Sequence, residues 1–295
     1  MKRRIWILIV LLAVLCPRTP LLAEKPSDSR TLRETIAFEG SGSRRLIVDN
    51  IWGSVVVRGH AGESIEMVAE ETVQAGTAEG IELARREVEI EIRQTDGVIE
   101  LYVDGPFRCQ HEKDRRNCWN DWDNQYEIVY DFDIRVPFET DLEVRTVTDG
   151  DIEVLNVRGD FRIHNVNGSI DLAGMAGSGE AVTVNGPVVA SFISNPSSDS
   201  HFETVNGKID VSFQPGLSAD LDMSARWGEL WSEYEVAPLP SRPPTQRTNG
   251  KRTIIEIPRG TRVRVDGGGP THSFETLNGN IFVRKGTSER GDNDA

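Results

Sequence analysis

The stretch Thr204-Val205-Asn206-Gly207-Lys208-Ile209-Asp210-Val211 decides the fold, because close copies of it recur along the chain. Asn165-Val166-Asn167-Gly168-Ser169-Ile170-Asp171-Leu172, Thr183-Val184-Asn185-Gly186-Pro187-Val188-Val189-Ala190 and Thr276-Leu277-Asn278-Gly279-Asn280-Ile281-Phe282-Val283 share its order of apolar, Asn, Gly, any, apolar, any, apolar. Looser copies surround Gly53, Gly150 and Gly228. From Gly150 through Gly168, Gly186 and Gly207 to Gly228 the steps are 18, 18, 21 and 21 residues. Self-similarity at such a period marks a repeat architecture.

Period-two spacing is expected to send the residues two before, two after and four after each glycine to one face of a strand. These are Val166, Ile170 and Leu172; Val184, Val188 and Ala190; Val205, Ile209 and Val211; and Leu277, Ile281 and Val283. A single unit cannot bury such a face, so neighbours must stack. The pairs Asn167-Gly168, Asn185-Gly186, Asn206-Gly207 and Asn278-Gly279 supply residues that tolerate positive φ and let each unit turn a corner. Stacking would align Asn167, Asn185 and Asn206, whose amides could then bond along the column. A rival reading is an array of antiparallel hairpins, since Asn-Gly between alternating apolar residues is also a hairpin signal. The regular unit length favours a parallel β-helix-like solenoid.

Outside the repeats the chain divides as follows. Residues 1–23 read as a signal peptide, with a basic start at Lys2, Arg3 and Arg4, an apolar run of 11 residues from Ile5 to Leu15, and Leu21-Leu22-Ala23 before the cut. Such a run is too short to span a bilayer. Cys16 is an alternative lipid-attachment residue, but its neighbours Leu15 and Pro17 suit that motif badly. Residues 24–140 read as an antiparallel, sandwich-like β region: Thr31 to Val57, Ser64 to Glu71 and Ile128 to Val136 alternate, Val88 to Ile92 and Val98 to Val103 form a hairpin around Asp96-Gly97, and one short helix fits Ala78 to Arg86. Residues 141–285 form the repeat domain, interrupted by the proline-rich stretch 237–244, and 286–295 read as a disordered tail. The chain is therefore expected to be an exported all-β protein, periplasmic or at the cell surface.

The chain of 295 residues carries a formal charge of −14; without residues 1–23 it keeps 29 basic and 47 acidic residues, a net −18. That field repels phosphate backbones and anionic membrane surfaces, which argues against nucleic acid as a partner. Cys109 and Cys118, eight residues apart, are expected to close a disulfide in an oxidising compartment. A metal site using Cys109, His111 and Cys118 lacks a fourth ligand.

At the repeats the chain resembles a family of exported bacterial β-strand-repeat proteins of unknown function labelled putative adhesins, which is similar to the head regions of some autotransporter adhesins. The resemblance rests on the Val/Leu-Asn-Gly-x-Ile/Val-x-Val/Leu units and runs from about Leu46 to Val283. It implies a β-solenoid outside the cytoplasm, names no ligand and carries no catalytic residues.

Two constellations could carry chemistry. Glu153, Asp171 and Asp210 each follow a repeat glycine by three positions and face outward, so calcium could bridge them, although solvated surface acids are the simpler reading. Trp119, Trp122 and Tyr126 near the cysteine loop could stack on sugar rings or an apolar protein patch, or could cover the open end of the sheets. Trp52, Trp227 and Trp231 fall inside repeat units and read as core or corner packing. His201 and His272 precede similar Phe-Glu-Thr segments and would share one structural position. No catalytic motif is visible. The expected role is a non-enzymatic binding or scaffolding module of the cell envelope, with an unidentified glycan or protein as partner and no cofactor. The alternatives are a carbohydrate-active lyase or hydrolase, and a polymer built by end-to-end stacking.

Overall fold

Alternation of apolar and polar residues builds almost every described element, and glycine decides how closely they stack. The computed structural model describes residues 26–40, 42–108, 126–249, 252–256 and 260–286, the side chains of 245–256 excepted. The expected signal peptide with Cys16, the loop carrying Cys109, Cys118, Trp119 and Trp122, and the tail beyond Gly286 lie outside these residues.

In chain order the elements are β1 (Ser27–Ala37), β2 (Arg45–Asp49), β3 (Val55–His60), β4 (Ser64–Ala75), α1 (Ala78–Glu87), β5 (Glu89–Thr95), β6 (Val98–Asp104) and β7 (Tyr126–Pro137). There follow β8 (Asp141–Arg145), β9 (Ile152–Leu155), β10 (Phe161–His164), β11 (Ile170–Met175), β12 (Gly179–Asn185), β13 (Val188–Phe192), β14 (Ser200–Asn206) and β15 (Ile209–Phe213). The last are β16 (Ala219–Trp227), β17 (Leu230–Ser232), β18 (Val236–Pro238), β19 (Thr245–Asn249), β20 (Arg252–Glu256), β21 (Thr261–Val265), β22 (Thr271–Asn278) and β23 (Ile281–Lys285).

These strands form two large mixed sheets and one separate hairpin, β19–β20. The first sheet runs β1-β4-β7-β3-β9-β11-β13-β15-β23-β17, and the second runs β18-β21-β16-β22-β14-β12-β10-β8-β2-β6-β5. Strands on either side of an Asn-Gly pair lie in different sheets: β10 and β11 around Gly168, β12 and β13 around Gly186, β14 and β15 around Gly207. Each pairs in parallel with the equivalent strand of the next repeat, in register. The hairpin-array reading is thereby corrected. A repeat is a rung, made of one strand from each sheet joined at a corner.

The spatial order of rungs departs from chain order at both ends. Rung β2/β3 lies between β6/β7 and β8/β9, and rung β22/β23 lies between β14/β15 and β16/β17. Thus the first and last rungs of the sequence are each inserted one place in from an end. The antiparallel expectation for 24–140 holds for β1, β4 and β7 and for β5 with β6. It does not hold for β2 and β3, which pair in parallel with β8 and β9 and carry both sheets across the expected boundary at 140.

The helix starts at Thr77, whose Oγ1 accepts from the Gly80 amide at 3.2 Å. Its buried Ile81 and Ala84 face the sheet, while Arg85 donates to the fully buried Glu71 at 2.8 Å. Arg30 and the Tyr130 hydroxyl also donate to Glu71, at 2.6 and 3.0 Å, so the buried carboxylate is compensated. No helix among the described residues is long and apolar enough to cross a membrane.

Ile170, Leu172, Val188, Ala190, Ile209, Val211, Ile281 and Val283 are buried as the spacing requires. The residue two before each glycine is not: Val166, Val184 and Leu277 are exposed and Val205 is half-buried. The corner breaks the alternation. The residue one place earlier turns inward instead and bonds a glycine carbonyl of the neighbouring rung: Asn165 to Gly150 at 2.9 Å, Thr183 to Gly168 at 2.9 Å, Thr204 to Gly186 at 2.8 Å and Thr276 to Gly207 at 3.0 Å. These side chains satisfy carbonyls that the corner would otherwise bury unpaired.

The asparagines form the expected column. Nδ2 of Asn185 donates to Asn167 Oδ1, that of Asn206 to Asn185 and that of Asn278 to Asn206, at 2.8, 2.8 and 2.7 Å. None of the four has a positive φ. The glycines are required by close approach: a β-carbon on Gly168, Gly186, Gly207 or Gly279 would lie 2.1, 2.3, 2.0 or 1.8 Å from the carbonyl oxygen of the glycine in the next rung.

Candidate functional site

Seven adjacent strands of the second sheet, β2, β8, β10, β12, β14, β22 and β16, present one outward row in register: Ile47, Glu143, Arg162, Glu180, His201, Ser273 and Asp222. Beside this row the chain turns into each strand, and these turns, with the row from Glu143 to Asp222 and with Arg45 of β2, form a cleft of about 660 Å³. With strands about 4.8 Å apart, the row is roughly 29 Å long.

The turn side of the cleft is held by aspartates whose backbone partners lie one rung away. Oδ1 of Asp141 accepts from the Asp160 amide at 3.0 Å, that of Asp160 from Ser178 at 2.9 Å, and that of Asp199 from Thr271 at 2.7 Å. On the sheet side Glu180 lies 3.2 Å from Nε2 of His164. His201 accepts or donates at both ring nitrogens, Nδ1 lying 2.8 Å from Ser273 Oγ and Nε2 3.0 Å from Glu203. Asp222 closes the far end, bound by Arg242 of the proline-rich stretch at 2.7 Å and facing Arg262 at 3.8 Å. Carboxylates outnumber arginines in the lining, seven to three, so the cleft disfavours anions.

His201 and His272 do not share a position. His201 pairs with Ser273 on the outer face, whereas His272 pairs with Ser200, is fully buried and stacks on Phe213 at 5.1 Å. Burial pushes its pKa down to about 4, against a small opposing pull from Asp199.

Glu153, Asp171 and Asp210 do share an outward row, with Val189 between the last two. Arg284 binds Asp210 through two bonds of 2.6 and 3.2 Å, and Lys208 adds one of 3.2 Å. Burial raises the Asp210 pKa, but these cations outweigh it and leave the carboxyl below its ordinary value. Among the described residues no group of three His, Cys, Asp or Glu is placed to hold a metal ion. The carboxylate column that calcium could have bridged therefore loses Asp210 to ion pairing.

Tyr126 is buried, its hydroxyl donating to Glu87 at 2.8 Å, so its ring belongs to the wall of the sheet and not to a solvent-facing loop. Cys109, Cys118, Trp119 and Trp122 lie outside the described residues. The aromatic surface appears elsewhere. Trp227 and Trp231 on the terminal rung β16/β17 are 69% and 55% exposed, correcting their assignment to core or corner packing, and Trp231 donates to Glu229 at 3.2 Å. The signal was present in the repeat: Trp227 holds the asparagine position and Trp231 the position three after glycine, both outward. Trp52, half-buried, packs edge-on against Phe107 at 4.8 Å.

No protein-family model matches the chain, and no curated protein matches it. Among solved structures, a putative cell adhesion protein from Clostridium sporogenes ATCC 15579 aligns with a TM-score of 0.41 and 12% identity, covering 88% of this chain and 100% of that one. A putative lipid binding protein from Parabacteroides distasonis ATCC 8503 aligns with a TM-score of 0.31 and 10% identity, covering 88% and 97%.

Proposed function

We propose that the protein is a binding and scaffolding module of the cell envelope, exported by its N-terminal segment, whose stacked rungs wind as a short β-solenoid and hold an extended polymer along the cleft of the second sheet. The observation that carries this reading is the cleft itself. Its groups repeat once per rung, are tied to the next rung by hydrogen bonds, and continue across seven strands. A pre-organised row of donors and acceptors suits a linear, hydroxyl-rich chain such as a glycan, because little ordering cost remains at binding. The acidic balance selects neutral or amino-bearing polymers over anionic ones.

The test is retention of the purified chain on immobilised neutral, amino-bearing and anionic polysaccharides. Saturable retention on the first two, weakened by Arg162→Ala and by Arg242→Ala, is expected. Equal retention on the anionic polymer, or indifference to both substitutions, would overturn the reading. The carbohydrate-active alternative draws its own support from the contacts of His201.

A further inference from the structure

We propose that Ser273, His201 and Glu203 form an acyl-transfer centre that hydrolyses ester groups carried by the polymer in the cleft, an inference that rests on the binding reading for its substrate. The arrangement follows from the register. β14 and β22 are parallel neighbours, and His201 lies directly opposite Ser273. Glu203 is two residues beyond His201 and projects from the same face. All three are partly open to solvent, and the serine and histidine line the cleft.

Distances and directions fit a nucleophile, its base and an orienting carboxylate. Glu203 Oε2 accepts from Nε2 of His201 at 3.0 Å, which places the ring proton on Nε2 and leaves the Nδ1 lone pair facing Ser273 Oγ at 2.8 Å. The serine's contact to the Ser200 carbonyl is longer, 3.4 Å. On the other side of Ser273 its register partner Asp222 is ion-paired with Arg242, whose guanidinium also lines the cleft. Glu180 on β12 is opposite His201, and Glu275 on β22 is opposite Glu203.

The chemistry balances within these groups. Ser273 Oγ attacks the ester carbonyl carbon, its proton passes to Nδ1 of His201, and the carbonyl electron pair moves onto oxygen. Collapse breaks the bond to the alcohol oxygen, which takes the proton from Nδ1 and leaves the acyl group on Ser273. Water, losing one proton to the same nitrogen, attacks the acyl-serine carbon; collapse breaks the bond to Ser273 Oγ, which takes that proton back from Nδ1, and a carboxylic acid is released.

The experiment uses the full chain with a fluorophosphonate probe, p-nitrophenyl acetate, and an O-acetylated neutral polysaccharide alongside its deacetylated form. Expected are probe mass on Ser273, acetate release from both esters, and loss of labelling and release in Ser273→Ala and His201→Ala by at least about 100-fold. Glu203→Gln, a change at a positioning residue, should lower the rate roughly 10- to 100-fold and shift the pH profile. Ser273→Cys and thermal melts of every variant separate chemistry from folding. Retention of the polysaccharide without labelling or acetate overturns the centre and leaves the binding module standing. Labelling and ester cleavage without retention supports the centre and overturns the polymer reading of the cleft, and labelling at another serine overturns the centre.

Discussion

A β-carbon on Gly207 would meet the Gly186 carbonyl oxygen at 2.0 Å, and that oxygen is held in place because it accepts from Thr204 while the Gly186 amide donates to Asn206. Gly207→Ala should therefore push two rungs apart and cost about 1–3 kcal/mol, read as a drop in the urea midpoint. Gly76, with open space around its missing β-carbon, is the control: Gly76→Ala should leave the midpoint almost unchanged. His272 gives a pH-dependent counterpart. Its ring nitrogens have no hydrogen-bond partner among the described residues and burial lowers its pKa from 6.5 to about 4, so the unfolded chain takes the proton first as pH falls. Stability attached to this residue is whole above pH 6.5 and is lost between 6.5 and about 4, by on the order of 3 kcal/mol. His272→Phe should keep the stacking on Phe213 and flatten that part of the profile. The same loss in the variant as in the wild type would show that other groups cause the acid response.

At the scale of elements, the sequence showed which residues make a rung but not which rungs are neighbours. Every rung offers the same edges and the same inward Ile, Val or Leu, so periodicity could not reveal that β22/β23 inserts between β14/β15 and β16/β17. Nor could it reveal that Thr183 and Thr204 turn inward in place of Val184 and Val205, because the corner shifts the alternation by one residue there. The outward tryptophans were legible in their repeat positions, but hydrophobicity pointed the other way. The cleft was hidden for a different reason: its residues come from seven strands separated by tens to hundreds of positions, and only the register assembles them. The inserted rung makes a strong prediction. Phe274, Ile281 and Val283 are 0–1% exposed, and removing them forfeits roughly 5–9 kcal/mol of burial, comparable to the net stability of a typical domain. A chain ending at Pro270 should therefore lose near-UV circular dichroism and become cleavable within β16 and β17. An unchanged denaturation midpoint would mean that β16/β17 closes directly onto β14/β15.

For the whole molecule, the question is whether the sandwich-like first part and the repeats are separate folding units. A boundary at 140 is natural from sequence, where the strict repeats begin. The sheets argue for one unit, because β2 and β3 are stacked between β6/β7 on one side and β8/β9 on the other. Leu46, Val48, Val55 and Val57 lie fully buried in the core cluster that runs on through Val144, Ile152 and Val154. Repeat arrays gain stability from nearest-neighbour interfaces, so a stack locked by inserted rungs at both ends should propagate unfolding through its length. Tryptophan fluorescence reports on both parts, from Trp52, Trp119 and Trp122 in the first and from Trp227 and Trp231 in the second. It should show a single denaturation transition coincident with far-UV circular dichroism. A fragment starting at Asp141 would expose the edges of β8 and β9, which pair with β2 and β3 in the intact chain, and should associate or aggregate. Two resolved transitions, or a fragment from 141 to 286 that stays monomeric with an undiminished midpoint, would establish two domains and place their border where the repeats begin.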